Sequence, residues 1–389
     1  MSNKMKKRLV IVTTVPETLA SILKGQPRFL NSTFDVSLVS SPEIEAGKLE
    51  TLEGVPVYPV PMFRGISLLE DFISIVKMIF LLRRLKPDVV HSYTPKAGLV
   101  AMVASLVCRV PVRVHTFTGL IFPTQRGLKQ KLLIWVDRLI CLCATKVVPE
   151  GNGVKKDLIA FNITSKPMNV IGYGNVAGVD FTYFDKASPG VLEKADCLRE
   201  TLGISKDDFV FCFIGRLNND KGLSELAAAF QQLPARAHLI VVGGIDTSAP
   251  VDATTLSLLQ SNESVHLLGH QDDVRSALSA CTVLVLPSYR EGFPNVLLQA
   301  GAMGKAAIAT DINGCNEIIE PGVNGWLVPA RQIDPLLTAM CEALDTPAHR
   351  LVDMGGEAFT RVARCFDQKE HWQRMLTFYN KELRVETTI

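Results

Sequence analysis

The stretch "FVFCFIGRLNNDKGLSELAAAFQQL", residues 209–233, decides how the chain is read. Six apolar residues, three of them Phe, form a strand too apolar to have a wet face. Gly215 ends it, a polar loop follows, and Leu223 begins an apolar pattern at helical spacing. Working outward, the same grammar recurs. Downstream come the strands "AHLIVVGG", "VHLLGH", "TVLVLPS" and "KAAIAT", with helical patterns between most of them. Upstream it has already run once, through "RLVIVTT", "FDVSLVS", "VPVYPV", "PDVVHSY", "VPVRVHTF" and "ATKVVP". Helical patterns over 66–86 and 128–144 separate some of these.

Strands alternating with helices imply parallel sheets covered on both faces. A run that starts again at residue 209 implies an α/β protein of two Rossmann-like domains facing across a cleft. The polar, strand-poor stretch 180–207 is the expected join. The expected domains are 1–185, together with a C-terminal helix over 367–389, and 186–366. In that last segment Trp372, Met375, Leu376 and Tyr379 share one face.

In open α/β sheets, ligands bind beyond the carboxyl ends of the strands. Four strand ends carry candidate chemistry. After "FVFCFI", Gly215, Arg216 and Lys221 place a flexible residue and two cations where a diphosphate would fit. A solvated loop capped by Asn or Asp fits the same spacing. After "TVLVLP", "SYREGFPNVLLQAG" (288–301) puts Glu291 on a strand-to-helix turn, followed by Gly292, Phe293, Pro294 and Asn295. Pro294 suits a first helical turn. The helix start offers free N–H groups to an anion. A carboxylate accepts hydrogen bonds from hydroxyls, so a sugar joined to a phosphate suits Glu291. A helix-start carboxylate answering the dipole is the plainer alternative. Gln299, two turns in, can accept from one hydroxyl and donate to another.

In the first half, "VVHSYTPKAGLVAM" and "VRVHTFTGLIF" end strands with small polar residues and a Gly. Lys96, beside Pro95 at a helix start, is a candidate for an anion. Gly119 allows close approach of a ligand. His91 and His115 are single histidines near strand ends, as consistent with packing as with proton transfer.

The chain has 389 residues, 47% hydrophobic and 21% charged, enough for two cores. Its net charge of +2 conceals an asymmetry: residues 1–185 carry 23 Lys and Arg against 14 Asp and Glu, while 186–389 carry 18 against 25. A basic half implies an anionic partner or an ordinary solvated surface. Arg126, Lys129 and Lys131 precede an apolar face with Trp135, which fits an anionic membrane surface or a buried helix with a basic edge. The nine Cys show no C-x-x-C spacing and fit idle thiols in a reducing compartment. No signal peptide and no transmembrane helix are expected. The nearest candidate, "ISLLEDFISIVKMIFLL", contains Glu70, Asp71 and Lys77. Metal-ligand spacing, the dinucleotide fingerprint, a Walker loop and a basic-aromatic nucleic-acid surface are all absent from the sequence.

Taken together, "GRLNNDKG", "SYREGFPNVLLQA", "TDINGCNEIIEPGVNGWLVP" and "VIGYGNVAGVDFTYF" resemble the retaining glycosyltransferases of family 4, which have the GT-B fold. The resemblance spans nearly the whole chain. It implies that Arg216 and Lys221 neutralise a donor diphosphate in place of a metal, and that no cofactor is needed. It implies further that Glu291 binds the donor sugar, that Gly292 to Asn295 hold sugar and phosphate, and that Gln299 contacts ribose. The last helix would cross back to the first domain. The family usually has Glu where Gln299 stands, and often His where Thr118 stands. His115 is offset from that place by three positions.

"HSYTPKAGLVAMVAS" and "VRVHTFTGL" are most similar to bacterial enzymes of O-antigen, capsule or exopolysaccharide assembly. Those imply a UDP-sugar donor, carrying an N-acetylhexosamine or a hexose. They imply a polyprenyl-diphosphate-linked acceptor, met on the cytoplasmic face of the cell membrane, with Lys96 and Gly119 on the acceptor side. An epimerase acting on UDP-N-acetylglucosamine, or a non-catalytic partner of another transferase, would share the fold.

Overall fold

The structure, a computed structural model, describes residues 6–42, 46–63, 65, 67–246 and 249–385. The chain divides into two compact units, Met1–Ala177 with Lys369–Ile389, and Gly178–Gln368. Each is α/β.

The first unit holds strands β1 (Arg8–Val12), β2 (Asp35–Ser40), β3 (Val57–Pro59), β4 (Val89–Tyr93), β5 (Val112–Phe117) and β6 (Lys146–Pro149). They form one sheet in the order β3-β2-β1-β4-β5-β6, with every neighbouring pair parallel. The second unit holds β7 (Phe209–Ile214), β8 (Ala237–Val242), β9 (Val265–Gly269), β10 (Val283–Leu286), β11 (Ala306–Thr310) and β12 (Gly325–Val328). Their order is β12-β11-β10-β7-β8-β9, again parallel throughout. The first strand of each sheet is therefore central, and the order reverses beside it. That makes β1/β4 and β7/β10 the two switch points, where loops leave in opposite directions and open a crevice.

Helices cover both faces of each sheet, so the strands are buried on both sides. Leu9 to Val12 of β1 and Val210 to Phe213 of β7 are at most 1% exposed. One difference from the sequence reading concerns the join. Residues 178–185 belong to the second unit because Val179 is buried in its core and its N–H bonds Phe366 O at 2.8 Å. The last helix, Gln368–Val385, lies in the first unit from Lys369 onward. Tyr379 and Met375 enter that unit's core, and Trp372 packs on Phe29 and over Gly25. Among the described residues no helix is long and apolar enough to cross a membrane.

Candidate active site

In the second unit, the two loops leaving β7 and β10 meet at the switch point. The β7 loop is held by backbone. Gly215 N–H bonds Val242 O at 2.9 Å, and Leu217 N–H bonds Gly244 O at 2.9 Å. A Cβ on Gly243 would lie 1.9 Å from Gly215 O, so the loops after β7 and β8 touch only because that residue is Gly. Asn218 then caps a short turn, Asn219–Lys221, by accepting from Asp220 N–H at 3.1 Å. The capping residue of the plainer sequence reading is thus present, and it delivers Lys221 to the site. Gly222 follows at φ +66°, with room for no side chain: a Cβ would lie 2.0 Å from Pro287 O. The helix Leu223–Phe230 starts there.

The β10 loop is tied to the β7 loop from the other side. Tyr289 N–H bonds Asp220 O at 2.8 Å, and Arg290 Nη2 bonds Asp220 Oδ2 at 2.8 Å. Next in the chain, Glu291 Oε1 accepts from Lys221 Nζ at 2.6 Å, with the two side chains 13% and 19% exposed. Two residues 70 positions apart in sequence thus form one ion pair at the mouth of the crevice. The loop after β11 closes the floor. A Cβ on Gly314, at φ +78°, would lie 2.5 Å from Gly292 O, and the adjacent Cys315 is fully buried. Burial, then the Glu291 charge, pushes the Cys315 thiol well up, so it is an inert floor rather than a nucleophile.

Arg216 lies on the same loop but is 67% exposed, with Nη1 2.6 Å from Asp246 Oδ2. Pro294 is the residue preceding the helix Asn295–Ala302, one position earlier than a first-turn proline. Its neighbour Phe293 is buried against Phe366. Asn295 and Gln299 are half-buried on the first two turns of that helix. The β7/β10 crevice therefore brings together Gly215, Arg216, Lys221, Glu291, Gly292, Phe293, Pro294 and Asn295, with Gln299 one turn behind.

Residues of the first unit fall differently. Lys96 is held by both oxygens of Asp71, at 2.6 and 2.8 Å, so its charge is already matched. Thr118 and Gly119 are half-buried just past the end of β5, with Gly119 at φ +93°. His115 is corrected by the structure. It is fully buried, its Nδ1 lies 2.8 Å from Ser92 Oγ, and its ring fills the space above Gly98, where a Cβ would lie 2.4 Å from Cε1. Burial lowers its pKa to about 3, so it is a neutral packed ring. His91 is packed too, between Tyr379 OH at 2.6 Å and Thr116 Oγ1 at 2.7 Å.

The sequence reading missed Asp71, Asp220 and Asp246, which hold the cations in place. Nothing in local spacing marks them, because each partner is at least 25 residues away. Among the described residues no cluster of three His, Cys, Asp or Glu could hold a metal ion.

Comparison with known proteins identifies the family. The family described as "Glycosyl transferase 4-like domain" matches residues 27–174, and "Glycosyl transferases group 1" matches residues 208–346. A capsular polysaccharide biosynthesis glycosyltransferase, CapM of Staphylococcus aureus, is 28% identical over 97% of this chain and 98% of its own. An Escherichia coli enzyme, named as a UDP-Gal:α-D-GlcNAc-diphosphoundecaprenol α-1,3-galactosyltransferase, is 28% identical over 81% of each chain. Among solved structures, Anabaena HepE in complex with UDP superposes with a TM-score of 0.79 at 20% identity, over 96% of this chain and all of that one. That likeness is one of fold.

Proposed function

Because the chain belongs to the family 4 glycosyltransferases of GT-B fold, we propose that it moves a sugar from a UDP-sugar to a saccharide carried on polyprenyl diphosphate. As a glycosyltransferase of surface polysaccharide synthesis it would work on the inner face of the cell membrane, as a peripheral protein. The donor sugar in this reading is a hexose or an N-acetylhexosamine.

One observation carries the reading: the Lys221–Glu291 pair at the β7/β10 switch point. A nucleotide sugar presents two unlike groups side by side, a dianionic diphosphate and a neutral ring of hydroxyls. The pair presents their complements, a cation and an acceptor of hydroxyl protons. Arg216, more exposed and on the same loop, adds a second cation. When the bond from the sugar's anomeric carbon to the phosphate oxygen breaks, its electron pair stays on the diphosphate. Lys221 and Arg216 stabilise that developing charge where a metal would otherwise be needed. The acceptor hydroxyl attacks from the same face and gives its proton to the departing phosphate oxygen, so the anomeric configuration is retained. Gln299 holds the ribose as a neutral donor and acceptor. Thr118, Gly119 and Lys96 lie on the acceptor side in this proposal.

The test is incubation of the full chain with a panel of UDP- and GDP-sugars and a lipid-diphosphate-sugar acceptor. Transfer from a UDP-sugar, with retained configuration by NMR and a rate indifferent to EDTA, supports the proposal. Conversion of the nucleotide sugar without acceptor, or no product from any donor, rejects it.

A further inference from the structure

Two helices of the first unit are apolar on two faces, one in the core and one in solvent. Leu68–Leu85 and Gly127–Cys143 flank Pro95–Val107, and the three pack side by side over one core. On Leu68–Leu85 the polar Asp71 and Ser74 face inward, 8% and 2% exposed, while Leu68, Leu69, Phe72 and Phe80 are 83%, 71%, 64% and 66% exposed. Asp71 is inside because it holds Lys96, and Ser74 because its hydroxyl donates to Pro61 O at 2.6 Å. The outward residues Leu69, Phe72, Ile73, Val76 and Phe80 recur at helical spacing, so they form one stripe. Gly127–Cys143 repeats the pattern. Asp137 is buried, while Leu128, Trp135 and Leu142 are 84%, 62% and 72% exposed.

The charges on this face are mainly positive. Lys77, Arg83 and Arg84 are exposed on the first helix, and Lys129, Lys131 and Arg138 on the second, against the single exposed acid Glu70. A monomer rarely leaves so many large apolar side chains together in water. Apolar residues ringed by Lys and Arg, with a Trp among them, are matched by a lipid interface bearing anionic headgroups. A second copy of the chain would bring like charges together instead. We propose that this face docks on an anionic bilayer, with both helices lying in its plane and Leu69, Phe72, Leu128 and Trp135 entering the headgroup layer. The inference rests on the lipid-linked acceptor proposed above for why the chain meets a bilayer.

Flotation of the full chain with vesicles of phosphatidylglycerol and phosphatidylcholine, against phosphatidylcholine alone, tests it. Wild type is expected to bind the anionic vesicles. Leu69→Gln with Phe72→Gln, and separately Lys129→Glu with Lys131→Glu, are expected to weaken that binding by about tenfold or more. Both variants should keep the wild-type melting temperature, because the altered side chains are exposed. Both should keep the wild-type rate on a sugar diphosphate with a short water-soluble tail, and lose rate on the same sugar carried by polyprenyl diphosphate in vesicles. Wild type that ignores anionic vesicles, variants that bind as well as wild type, or a dimer that the Phe72 variant dissolves would each overturn the proposal. Vesicle binding that follows these substitutions in a chain inactive on both acceptors leaves the docking face standing and rejects the enzymatic reading instead.

Discussion

Lys221 Nζ sits 2.6 Å from Glu291 Oε1, and both side chains are largely withdrawn from water. The pair joins the loop after the central strand β7 to the loop after its neighbour β10. Each residue holds the other in the position from which it would meet substrate. In the proposed reaction, removing Lys221 would deprive the leaving diphosphate of its cation, and an electrostatic donor of that kind contributes on the order of 10²–10³ in turnover. Lys221→Ala and Glu291→Ala are expected to lose that much in kcat while still folding, as circular dichroism would show. Near-wild-type turnover in both would remove the site assignment.

Arg216 makes a contrasting prediction. Its side chain is mostly in solvent, so its bond to Asp246 adds little to stability. Arg216→Ala should leave the melting temperature close to wild type. It should raise the KM for the UDP-sugar, with a shallower dependence on salt than wild type, because one screenable cation is gone. A melting temperature lowered as far as that of a core substitution would mean that Arg216 is a structural clamp.

Gly222 is where the site depends on backbone. Its φ of +66° and the carbonyl of Pro287, 2.0 Å from any added Cβ, leave no room for a methyl group. Gly222→Ala is expected to destabilise the fold by more than about 1 kcal/mol, since the new residue cannot adopt the native conformation without strain. It should also displace Lys221, lowering kcat further than the stability loss explains. A urea midpoint equal to wild type would show that the loop relaxes freely.

Much of this was legible in the sequence, for a physical reason. Most strands are written as short apolar runs, so eleven of the twelve were visible; Gly325–Val328, which opens on a Gly after a polar turn, was indicated by the family resemblance alone. The candidate switch-point residues were singled out because each polar loop follows an apolar strand and opens a helix, at 215–223 and 288–295. What stayed hidden was long-range pairing. Nothing near Lys96 announces Asp71, and nothing near Arg216 announces Asp246. The burial of His115 was equally invisible, since a strand-end histidine reads alike whether it faces a ligand or a helix glycine such as Gly98. The sequence left the burial of Gly127–Cys143 open for the same reason: a helix apolar on two faces reads alike until the neighbours that bury only one of them are known.

The packed histidines predict how stability depends on pH. Burial holds His115 at about 3 and His371 at about 4, and holds His91 well below the ordinary 6.5. In the unfolded chain all three titrate near 6.5, so between that value and about pH 4 the unfolded state binds more protons. Stability is therefore fully present above pH 6.5 and falls as pH drops through that window. The urea midpoint should be flat from pH 8 to 7 with respect to these groups and fall steeply towards pH 4. His371→Gln should make the fall shallower. An unchanged slope would place His371 in water.

Asp137 has the opposite sign. Burial beneath the exposed stripe of Gly127–Cys143 raises its pKa to about 7 from an ordinary 3.8. The folded chain thus takes up a proton there between pH 7 and pH 4, and above pH 7 it must bury a charged carboxylate. The resulting cost is on the order of a few kcal/mol at pH 8 and vanishes below about pH 4. Asparagine has the shape of the protonated acid without the charge. Asp137→Asn is expected to raise the melting temperature at pH 8 and to leave it unchanged at pH 4, so that the difference between the two proteins grows with pH. It should leave transfer activity intact, since Asp137 touches none of the switch-point residues. A variant less stable than wild type at pH 8 would mean that the carboxylate, and not its neutral form, is what the helix holds.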